Sequence, residues 1–288
     1  MKGQFTLTTF LKRFSTEEKC LQTIFLRKYP NGVTCKKCKK VTKHYKIKNR
    51  PCYSCCLCGS HIYPLSGTIF QDTRTPLTTW FYAMFLMTST RAGISSKQLQ
   101  RQTGTTYKTS WRMFHKIRQL MQSAAPDQVS GVVEIDETYV GGKAKNRKTK
   151  WYEGYVVKEV VMGMVERKGS VIVKHILSSG KRALFEQIEK HVDPNALIMT
   201  DELLSYKNLP KHGYKHKFVN HQSYQYRDGD CYTQNIENVW SHFKRGIYGT
   251  YRKVSPKYLQ EYADEFAFRY NNRHRPSEMF DVLLSQVS

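Results

Sequence analysis

Acidic side chains are scarce in this 288-residue chain, and they are almost missing from its first part. Asp and Glu total 23 against 47 Lys and Arg, so the formal net charge is +24. Residues 1–125 contain 22 of the basic side chains and only three acids, Glu17, Glu18 and Asp72. A positive charge concentrated in one part of a chain is typical of a protein that binds a polyanion, and it favours nucleic acid as the partner.

Long apolar runs are missing as well. No stretch of the sequence approaches the ~18 apolar residues of a membrane span, and residues 1–6 lack the apolar segment of a signal peptide. Neither a basic amphipathic helix nor a lipidation motif is recognisable, which argues against a membrane-surface protein. We therefore expect a cytoplasmic, nucleoid-associated protein without a membrane partner.

Cysteines are rare outside one short segment, since six of the eight lie between residues 35 and 58. A reducing cytoplasm disfavours disulfides, so a metal explains these thiols better. Two C-x-x-C pairs are separated by 16 residues, which is the spacing of a zinc ribbon. The predicted ligands of this one structural Zn²⁺ are Cys35, Cys38, Cys55 and Cys58. Cys52 also forms a C-x-x-C with Cys55, which leaves the register open, and His44 and His61 are alternative ligands.

The region after the cysteines has the pattern of a helix-turn-helix. Ser95 is a suitable N-cap for a short helix over residues 96–102, Gly104 provides the turn, and a second helix begins near Thr106. The side chains that this second helix is predicted to bury are Trp111, Phe114 and Ile117. Such a helix enters the major groove of DNA, whereas a plain helical hairpin inside a core is the alternative. The candidate DNA contacts in the basic part of the chain are Lys36, Lys37, Lys108 and Arg112.

Three acids in the second half of the chain lie in or directly after separate predicted elements. Asp136 ends the apolar run 132–136 and Asp201 follows the run 196–200, and both runs are typical of buried strands. Glu237 lies in a helical pattern. Mg²⁺ takes oxygen ligands, and pairs of Mg²⁺ about 3.5–4 Å apart catalyse phosphoryl transfer. Three carboxylates that meet at strand ends and a helix would suit such a site, and ordinary surface acids are the alternative.

Strand and helix patterns alternate along the second half of the chain, which predicts an α/β domain. The predicted strands cover 132–136, 156–165, 170–177 and 196–200, and the predicted helices cover 181–191, 202–208, 234–246 and 256–272. Between Tyr139 and Trp151 runs a basic loop with two glycines. It lacks the spacing of a nucleotide-binding motif, so we interpret it as a loop near DNA.

These motifs together resemble those of the ISXO-type insertion-sequence transposases of bacteria, a family of DDE enzymes with an N-terminal zinc ribbon. The segments that carry the resemblance include LSGTIF at 65–70, IDETYVGG at 135–142, ENVWSHFKRG at 237–246 and EFAFRYNNR at 265–273. The similarity extends over roughly residues 10–275, which makes chance a poor explanation.

The resemblance and the patterns above predict a multidomain α/β chain. A zinc ribbon with an N-terminal lead is expected over residues 1–70, a helix-turn-helix DNA-binding region over 71–125, and the catalytic domain over 126–288. The resemblance implies that the catalytic domain is ribonuclease-H-like, with a mixed sheet and flanking helices. It also implies a homo-oligomer in the synaptic complex that holds the DNA ends.

The resemblance further implies the reaction and its residues. The enzyme would bind the inverted-repeat ends of an insertion sequence in double-stranded DNA and would catalyse strand cleavage and strand transfer. Two Mg²⁺ would act in catalysis, with Mn²⁺ as an alternative. The catalytic metal ligands would be Asp136, Asp201 and Glu237. Lys244, about two helical turns beyond Glu237, would hold a DNA phosphate near them, with Arg245 beside it.

Alternatives remain for the third ligand and for the function. Some relatives carry Asn at the third catalytic position, and Asn235 and Asn238 flank Glu237, although a carboxylate is the better Mg²⁺ ligand. Glu137 is expected to point away from Asp136 on the strand and to lie outside the site. A DNA-binding regulator without catalysis, and a ribonuclease or resolvase on the same fold, are the alternative functions.

Overall fold

The structure is a computed structural model that describes residues 5–141, 158–201, 204–219 and 232–287. The chain forms two compact units, one made of Met1–Ala124 with His274–Ser288 and the other of Ala125–Arg273. The predicted boundaries lie at residues 70 and 125 instead, and the predicted catalytic domain includes residues 274–288. In the structure the first two predicted regions share a unit, and the C-terminal residues belong to that unit.

The helices and strands follow one another in two groups. The helices are α1 (Leu7–Arg13), α2 (Glu17–Lys28), α3 (Leu77–Ser89), α4 (Ser96–Thr103), α5 (Tyr107–Ser123), α6 (Lys181–His191), α7 (Gln234–Arg245), α8 (Leu259–Asn271) and α9 (Met279–Ser285). The strands are β1 (Val33–Thr34), β2 (Val41–Thr42), β3 (His44–Lys46), β4 (Tyr53–Cys55), β5 (His61–Ile62), β6 (Val132–Val140), β7 (Glu159–Glu166), β8 (Val171–Ile176), β9 (Leu197–Thr200) and β10 (Lys215–Phe218).

Long-range aromatic contacts explain why the C-terminal helix α9 joins the first unit. The Phe280 ring lies 5.9 Å from Phe10, 5.3 Å from Phe14 and 6.2 Å from Phe81, measured between ring centroids. Burial of such rings is a large apolar contribution to stability. The sequence analysis placed residues 274–288 by their position in the chain, whereas the contacts that hold α9 are made with residues about 200 or more positions earlier.

Hydroxyl side chains define where four helices of the first unit begin. Each accepts a hydrogen bond from the backbone N–H three residues later, at 3.2–3.3 Å. An N-cap of this kind contributes about 1 kcal/mol because it satisfies a backbone donor that the helix leaves free. The N-cap residues are Thr6, Thr16, Ser95 and Thr106. The predicted cap at Ser95 is therefore confirmed.

Helices α4 and α5 are joined at Gly104, which has φ 68° and ends α4 with its N–H donating to the Gln100 carbonyl. A left-handed residue at this point favours glycine. Helix α5 buries Phe114 and Ile117 as predicted, but Trp111 is only half-buried. Two helices packed across a short turn agree with the predicted pattern; the reading of DNA by α5 stays a prediction.

The cysteine region is built from short antiparallel strands. β1 pairs with β2, and β3, β4 and β5 form a second small sheet. Strands of two or three residues bury little apolar surface, so a small module of this kind depends on additional cross-links such as a metal.

A five-stranded mixed sheet in the order β10-β9-β6-β7-β8 forms the centre of the second unit. β6, β7 and β8 are antiparallel neighbours, while β9 runs parallel to β6, and β10 runs parallel to β9. One face of the sheet packs against α6 through residues such as Ile135 and Ile188. The other face packs against α7 and α8 through residues such as Val161 and Phe243. The expected mixed sheet with flanking helices is confirmed.

Several element predictions for this unit hold and others are wrong. The helix over 181–191 is confirmed, and the strand at 132–136 extends to Val140. Residues 202–203 lie outside the described part, and the remainder of the helix expected over 202–208 is a short 3₁₀ turn, Leu204–Tyr206. Strand β10 was missed because its residues lack the apolar alternation of a half-buried strand. The basic loop between Tyr139 and Trp151 lies outside the described residues from Gly142 onward.

Within the described part of the chain, every helix is too short or too polar to cross a bilayer.

Candidate functional site

The parallel pairing of β6 and β9 brings Asp136 and Asp201 to neighbouring positions. Glu134 of β6 is paired with Met199 of β9, and continuing this register by two residues sets Asp136 beside Asp201, which directly follows β9. Adjacent strands lie about 4.8 Å apart. The two carboxylates are therefore neighbours across two parallel strands. Asp201 follows the end of β9 as predicted, whereas Asp136 lies inside β6, which continues to Val140.

Helix α7, which carries the third acid, packs directly on the backbone of β7 beside Asp136. Gly163 is the cross-strand partner of Asp136. A Cβ atom at Gly163 would lie 2.7 Å from Ile236 Cδ1 and 2.8 Å from the Trp240 ring. Such distances are shorter than van der Waals contact, so only glycine allows α7 to approach the sheet this closely. Glu237 lies in the first turn of this helix.

A side chain of α7 also holds the first acid. The indole Nε1 of Trp240 donates to Oδ2 of Asp136 at 2.9 Å. Trp240 is 5% exposed, so it packs as part of the core while its N–H fixes the carboxylate.

The pKa of Asp136 responds to the charges of the other two acids. Its pKa is raised to about 6, first by burial and then by the negative charge of Asp201, with a further contribution from Glu237. The Trp240 hydrogen bond and a backbone hydrogen bond at Glu137 oppose this rise. Asp136 and Asp201 are half-buried and Glu237 is exposed, and among the described residues these three side chains are not gathered into a ready metal-binding group as the four cysteines are. Carboxylate oxygens are nevertheless the donors that Mg²⁺ and Mn²⁺ prefer.

Glu137 lies next to Asp136 on the other face of β6. Burial, Asp136 and Asp201, in that order, raise its pKa to about 9. Its place outside the metal site stays a prediction, which rests on the alternation of side chains along β6.

The polar residues of α7 occupy different surroundings. The side-chain amide of Asn235 donates to Glu134 at 2.8 Å, and Asn238 is exposed. The negative charge of the exposed Glu237 contributes to the raised pKa of Asp136, and the choice of Glu237 as the third ligand stays a prediction. Lys244 is half-buried near the end of α7, and the exposed Arg245 bonds the Ser241 side chain.

Glu134 is a residue of this region that the sequence analysis missed. It lies two positions before Asp136 and is fully buried. Its carboxylate accepts hydrogen bonds from the start of α7 and from Arg167. An acid inside an otherwise apolar strand was the only signal in the sequence, and nothing in the sequence identified its partners.

The four cysteines predicted to bind zinc form a closed cluster. Their sulfur atoms all lie within 4.8 Å of one another, with Cys35 Sγ 3.5 Å from Cys58 Sγ and Cys38 Sγ 3.9 Å from Cys55 Sγ. Four sulfurs at 2.3 Å from one Zn²⁺ would be about 3.8 Å apart. The cluster can therefore bind Zn²⁺, and its register is the predicted one rather than the alternative with Cys52.

The two cysteine pairs have the same backbone geometry. The N–H of Lys39 donates to the Cys35 carbonyl at 2.9 Å, and the N–H of Gly59 donates to the Cys55 carbonyl at 3.0 Å. Lys39 and Gly59 both have positive φ, 58° and 69°. Each pair thus forms the tight turn that points two thiolates at one metal. The neighbouring Lys36 and Lys37 are exposed.

Comparison with known proteins gives a family and a relative. Residues 128–271 match the family described as ISXO2-like transposase domain. The matched residues are half of the chain, lie inside the second unit and include Asp136, Asp201 and Glu237. The chain is also 24% identical, over 93% of its length and 95% of the relative, to a Halobacterium salinarum protein described as an uncharacterized protein in transposable element ISH50.

We predict that zinc binding depends on Cys58 and not on the nearby Cys56. Cys58→Ser removes a sulfur of the cluster and should reduce bound zinc from about one ion per chain to nearly none, measured by elemental analysis of the purified protein. Cys56→Ser is the matched control, because Cys56 is exposed and outside the cluster. Full zinc content in Cys58→Ser would contradict the assignment.

We also predict that Asp136→Asn stabilises the protein in the absence of Mg²⁺. The folded-state pKa of Asp136 is about 6, above its ordinary value of 3.8, so its ionisation opposes folding increasingly from pH 4 to 6 and fully above that. At pH 7 the substitution should add on the order of 2–3 kcal/mol to the free energy of unfolding, and near pH 4 almost nothing. Urea unfolding at both pH values measures this difference.

The effect of Mg²⁺ provides the control. Mg²⁺ should stabilise the wild type and close the gap to Asp136→Asn, since the metal binds the ionised carboxylates. Asp264 in α8 is also buried with a pKa raised to about 6. Asp264→Asn should be more stable than the wild type by the same margin with or without Mg²⁺. An Asp136→Asn advantage that Mg²⁺ leaves unchanged would argue against a metal site at Asp136.

Proposed function

This chain belongs to the family of ISXO2-like transposases, and from this premise we propose that it cuts DNA at the ends of an insertion sequence and joins them to target DNA. The observation that carries the proposal is the parallel pairing of β6 and β9, which sets Asp136 beside Asp201, together with the contributions of Asp201 and Glu237 to the raised pKa of Asp136. Asp136 lies on β6, Asp201 directly follows β9, and Glu237 lies in the first turn of α7.

The strand order supports a ribonuclease-H-like catalytic domain. Numbered from β6 along the chain, the sheet reads 3-2-1-4-5, with the first three strands antiparallel and the last two parallel to the first. Asp136 lies on the first strand of this numbering and Asp201 directly follows the fourth, and these two strands are neighbours in the sheet. Asp201 lies at the carboxyl end of β9, which is the end of parallel strands where open α/β sheets bind their ligands.

All three carboxylates would bind metal. Asp136 and Asp201, side by side, would each contribute to both metal positions, and Glu237 would complete the site from the helix. Two bound Mg²⁺ would lower the pKa of an attacking hydroxyl and neutralise charge on the phosphate and on the leaving oxygen. Lys244, farther along α7, would hold a neighbouring DNA phosphate by its positive charge.

The proposed reaction has two phosphoryl-transfer steps. In the first, a water oxygen attacks the phosphodiester at the transposon end, and the 3′ oxygen leaves and takes up a proton. In the second, that 3′-hydroxyl attacks a phosphodiester of the target in line and displaces its 3′ oxygen. The protein forms no covalent bond to DNA in either step. A tyrosine nucleophile of the kind that tyrosine recombinases use, for which the exposed Tyr139 would be a candidate, is therefore not needed.

The basic first unit would hold the DNA. Lys108 and Arg112 lie exposed on α5, as Lys36 and Lys37 do beside the first cysteine pair. Phosphate contacts of this kind supply affinity that falls with salt, while a helix in the major groove supplies sequence preference. We propose that two or more chains assemble on a pair of inverted-repeat ends, in the cytoplasm at the nucleoid.

The experiment is cleavage and joining of a labelled duplex that carries the repeats flanking the gene, in Mg²⁺ or Mn²⁺. The wild type should cut at the repeat end and transfer it to a target. Asp201→Asn should lose at least about 10³-fold in rate because a metal ligand is gone, while still binding the duplex.

Tyr139→Phe is the matched control and should cut at the wild-type rate. Tight, specific binding by the wild type without cutting in either metal would favour a DNA-binding regulator. Loss of cutting in Tyr139→Phe with activity retained in Asp201→Asn would contradict the metal mechanism.

A further inference from the structure

The carboxylate of Glu134 is saturated with hydrogen bonds from one helix start and one arginine. Its Oε2 accepts from the backbone N–H of Asn235 at 2.9 Å and of Ile236 at 3.2 Å. Its Oε1 accepts from the Asn235 side chain at 2.8 Å and from Arg167 Nε at 2.8 Å. Because both oxygens accept hydrogen bonds in this way, Glu134 is not a candidate metal ligand. It holds the start of α7 and the side chain of Arg167 in place.

These bonds replace the cap that α7 does not provide for itself. Thr233, the N-cap residue of α7, makes no side-chain cap hydrogen bond. The first backbone N–H groups of a helix have no partner within the helix and carry partial positive charge. A buried carboxylate from strand β6 binds them here, so the start of α7 is tied to the strand that carries Asp136.

Arg167 extends the same anchor to the residue before the helix. Its guanidinium is ion-paired with Glu134 and donates to the Tyr232 carbonyl at 2.9 Å. It also stacks on the Tyr232 ring at 3.6 Å from the centroid. The approach to α7 and its first turn are therefore held by one buried ion pair, and Glu237 is the residue that follows these anchored positions.

Glu134 and Asp136 lie two residues apart on the same face of β6, about 6.6 Å along the strand. The first carboxylate binds the start of α7, and the second binds Trp240 one turn farther along the same helix. Two points of attachment to one strand fix the position of α7 along β6 and its rotation about its own axis. The position of Glu237 relative to Asp136 follows from these two attachments.

We propose that Glu134 is a positioning residue that sets the geometry of the metal site by capping the helix that carries Glu237. This inference rests on the proposed function. A rival account makes Glu134 a structural ion pair that stabilises the fold without affecting metal binding. The two accounts differ in the affinity for metal at conditions where the protein is folded.

The experiment measures Mn²⁺ binding to the full-length protein with the ribbon zinc in place, by the electron paramagnetic resonance signal of free Mn²⁺. Glu134→Gln replaces one accepting oxygen by an NH₂ group that faces N–H donors, so α7 should shift. We expect Mn²⁺ binding to weaken roughly 10- to 100-fold, as for residues that orient metal ligands. The Mn²⁺ concentration needed for half-maximal cutting should rise by a similar factor.

Glu265→Gln is the matched control. Glu265 is also a buried carboxylate of the second unit, paired with Arg269 in α8 and accepting from Tyr251. It should lower thermal stability as Glu134→Gln does, yet leave Mn²⁺ affinity within about twofold of the wild type. Equal weakening in both variants would overturn the proposal, because general destabilisation would then explain it. Wild-type affinity in folded Glu134→Gln would also overturn it.

A milder variant decides the question if Glu134→Gln does not fold. Arg167→Lys keeps the charge opposite Glu134 but loses the hold on Tyr232, and Arg167 is not a candidate metal ligand. We expect Mn²⁺ binding several-fold weaker than in the matching control Arg269→Lys, and equal affinity in the two would overturn the proposal.

Asp136→Asn separates this inference from the proposed function. Weakened Mn²⁺ binding in Asp136→Asn with normal binding in Glu134→Gln overturns the positioning role alone. Unchanged binding in Asp136→Asn, with no cutting by the wild type, overturns both.

Discussion

The close contact between helix α7 and the central sheet is the interaction on which the candidate site depends. Gly163 leaves the space that Ile236 and Trp240 fill, and its cross-strand partner is Asp136. Because the helix lies directly on the strand backbone, its indole N–H reaches the Asp136 carboxylate and its first turn brings Glu237 into the same electrostatic environment. A side chain at residue 163 would displace the helix and the acid together.

The same geometry holds acids in positions where their ionisation opposes folding in the absence of metal. Asp136 is held among negative charges, and the pKa of the neighbouring Glu137 is raised to about 9. Strain of this electrostatic kind is typical of functional sites, where the folded structure holds groups that a ligand or metal later neutralises. By contrast, the buried charge of Glu134 is balanced within the protein by Arg167 and the start of α7. One strand thus carries a carboxylate whose charge the protein balances and, two residues along, a carboxylate held among like charges.

Local signals in the sequence were sufficient for part of this structure. The spacing of the cysteines predicted the cluster, because both turns are local, and the apolar runs before Asp136 and Asp201 predicted neighbouring strands. Such local patterns do not predict contacts between segments that are distant in the sequence. The sequence shows an acid at position 134 but cannot show that its partners lie about 100 residues later. The packing of α9 on the first unit was missed for the same reason. The helix expected over 202–208 is, in the described residues, only the 3₁₀ turn Leu204–Tyr206, followed by a second turn at Leu209–His212.

The most direct test of this account is the location of metal in a crystal of the protein soaked in Mn²⁺, by anomalous diffraction. The account predicts Mn²⁺ within about 2.2 Å of carboxylate oxygens of Asp136, Asp201 and Glu237, with two ions about 3.5–4 Å apart when DNA is bound. Zinc should lie separately among the four cysteines. Anomalous density at the cysteines alone, with none between the three carboxylates at saturating Mn²⁺, would contradict the central claim that these acids form a metal site.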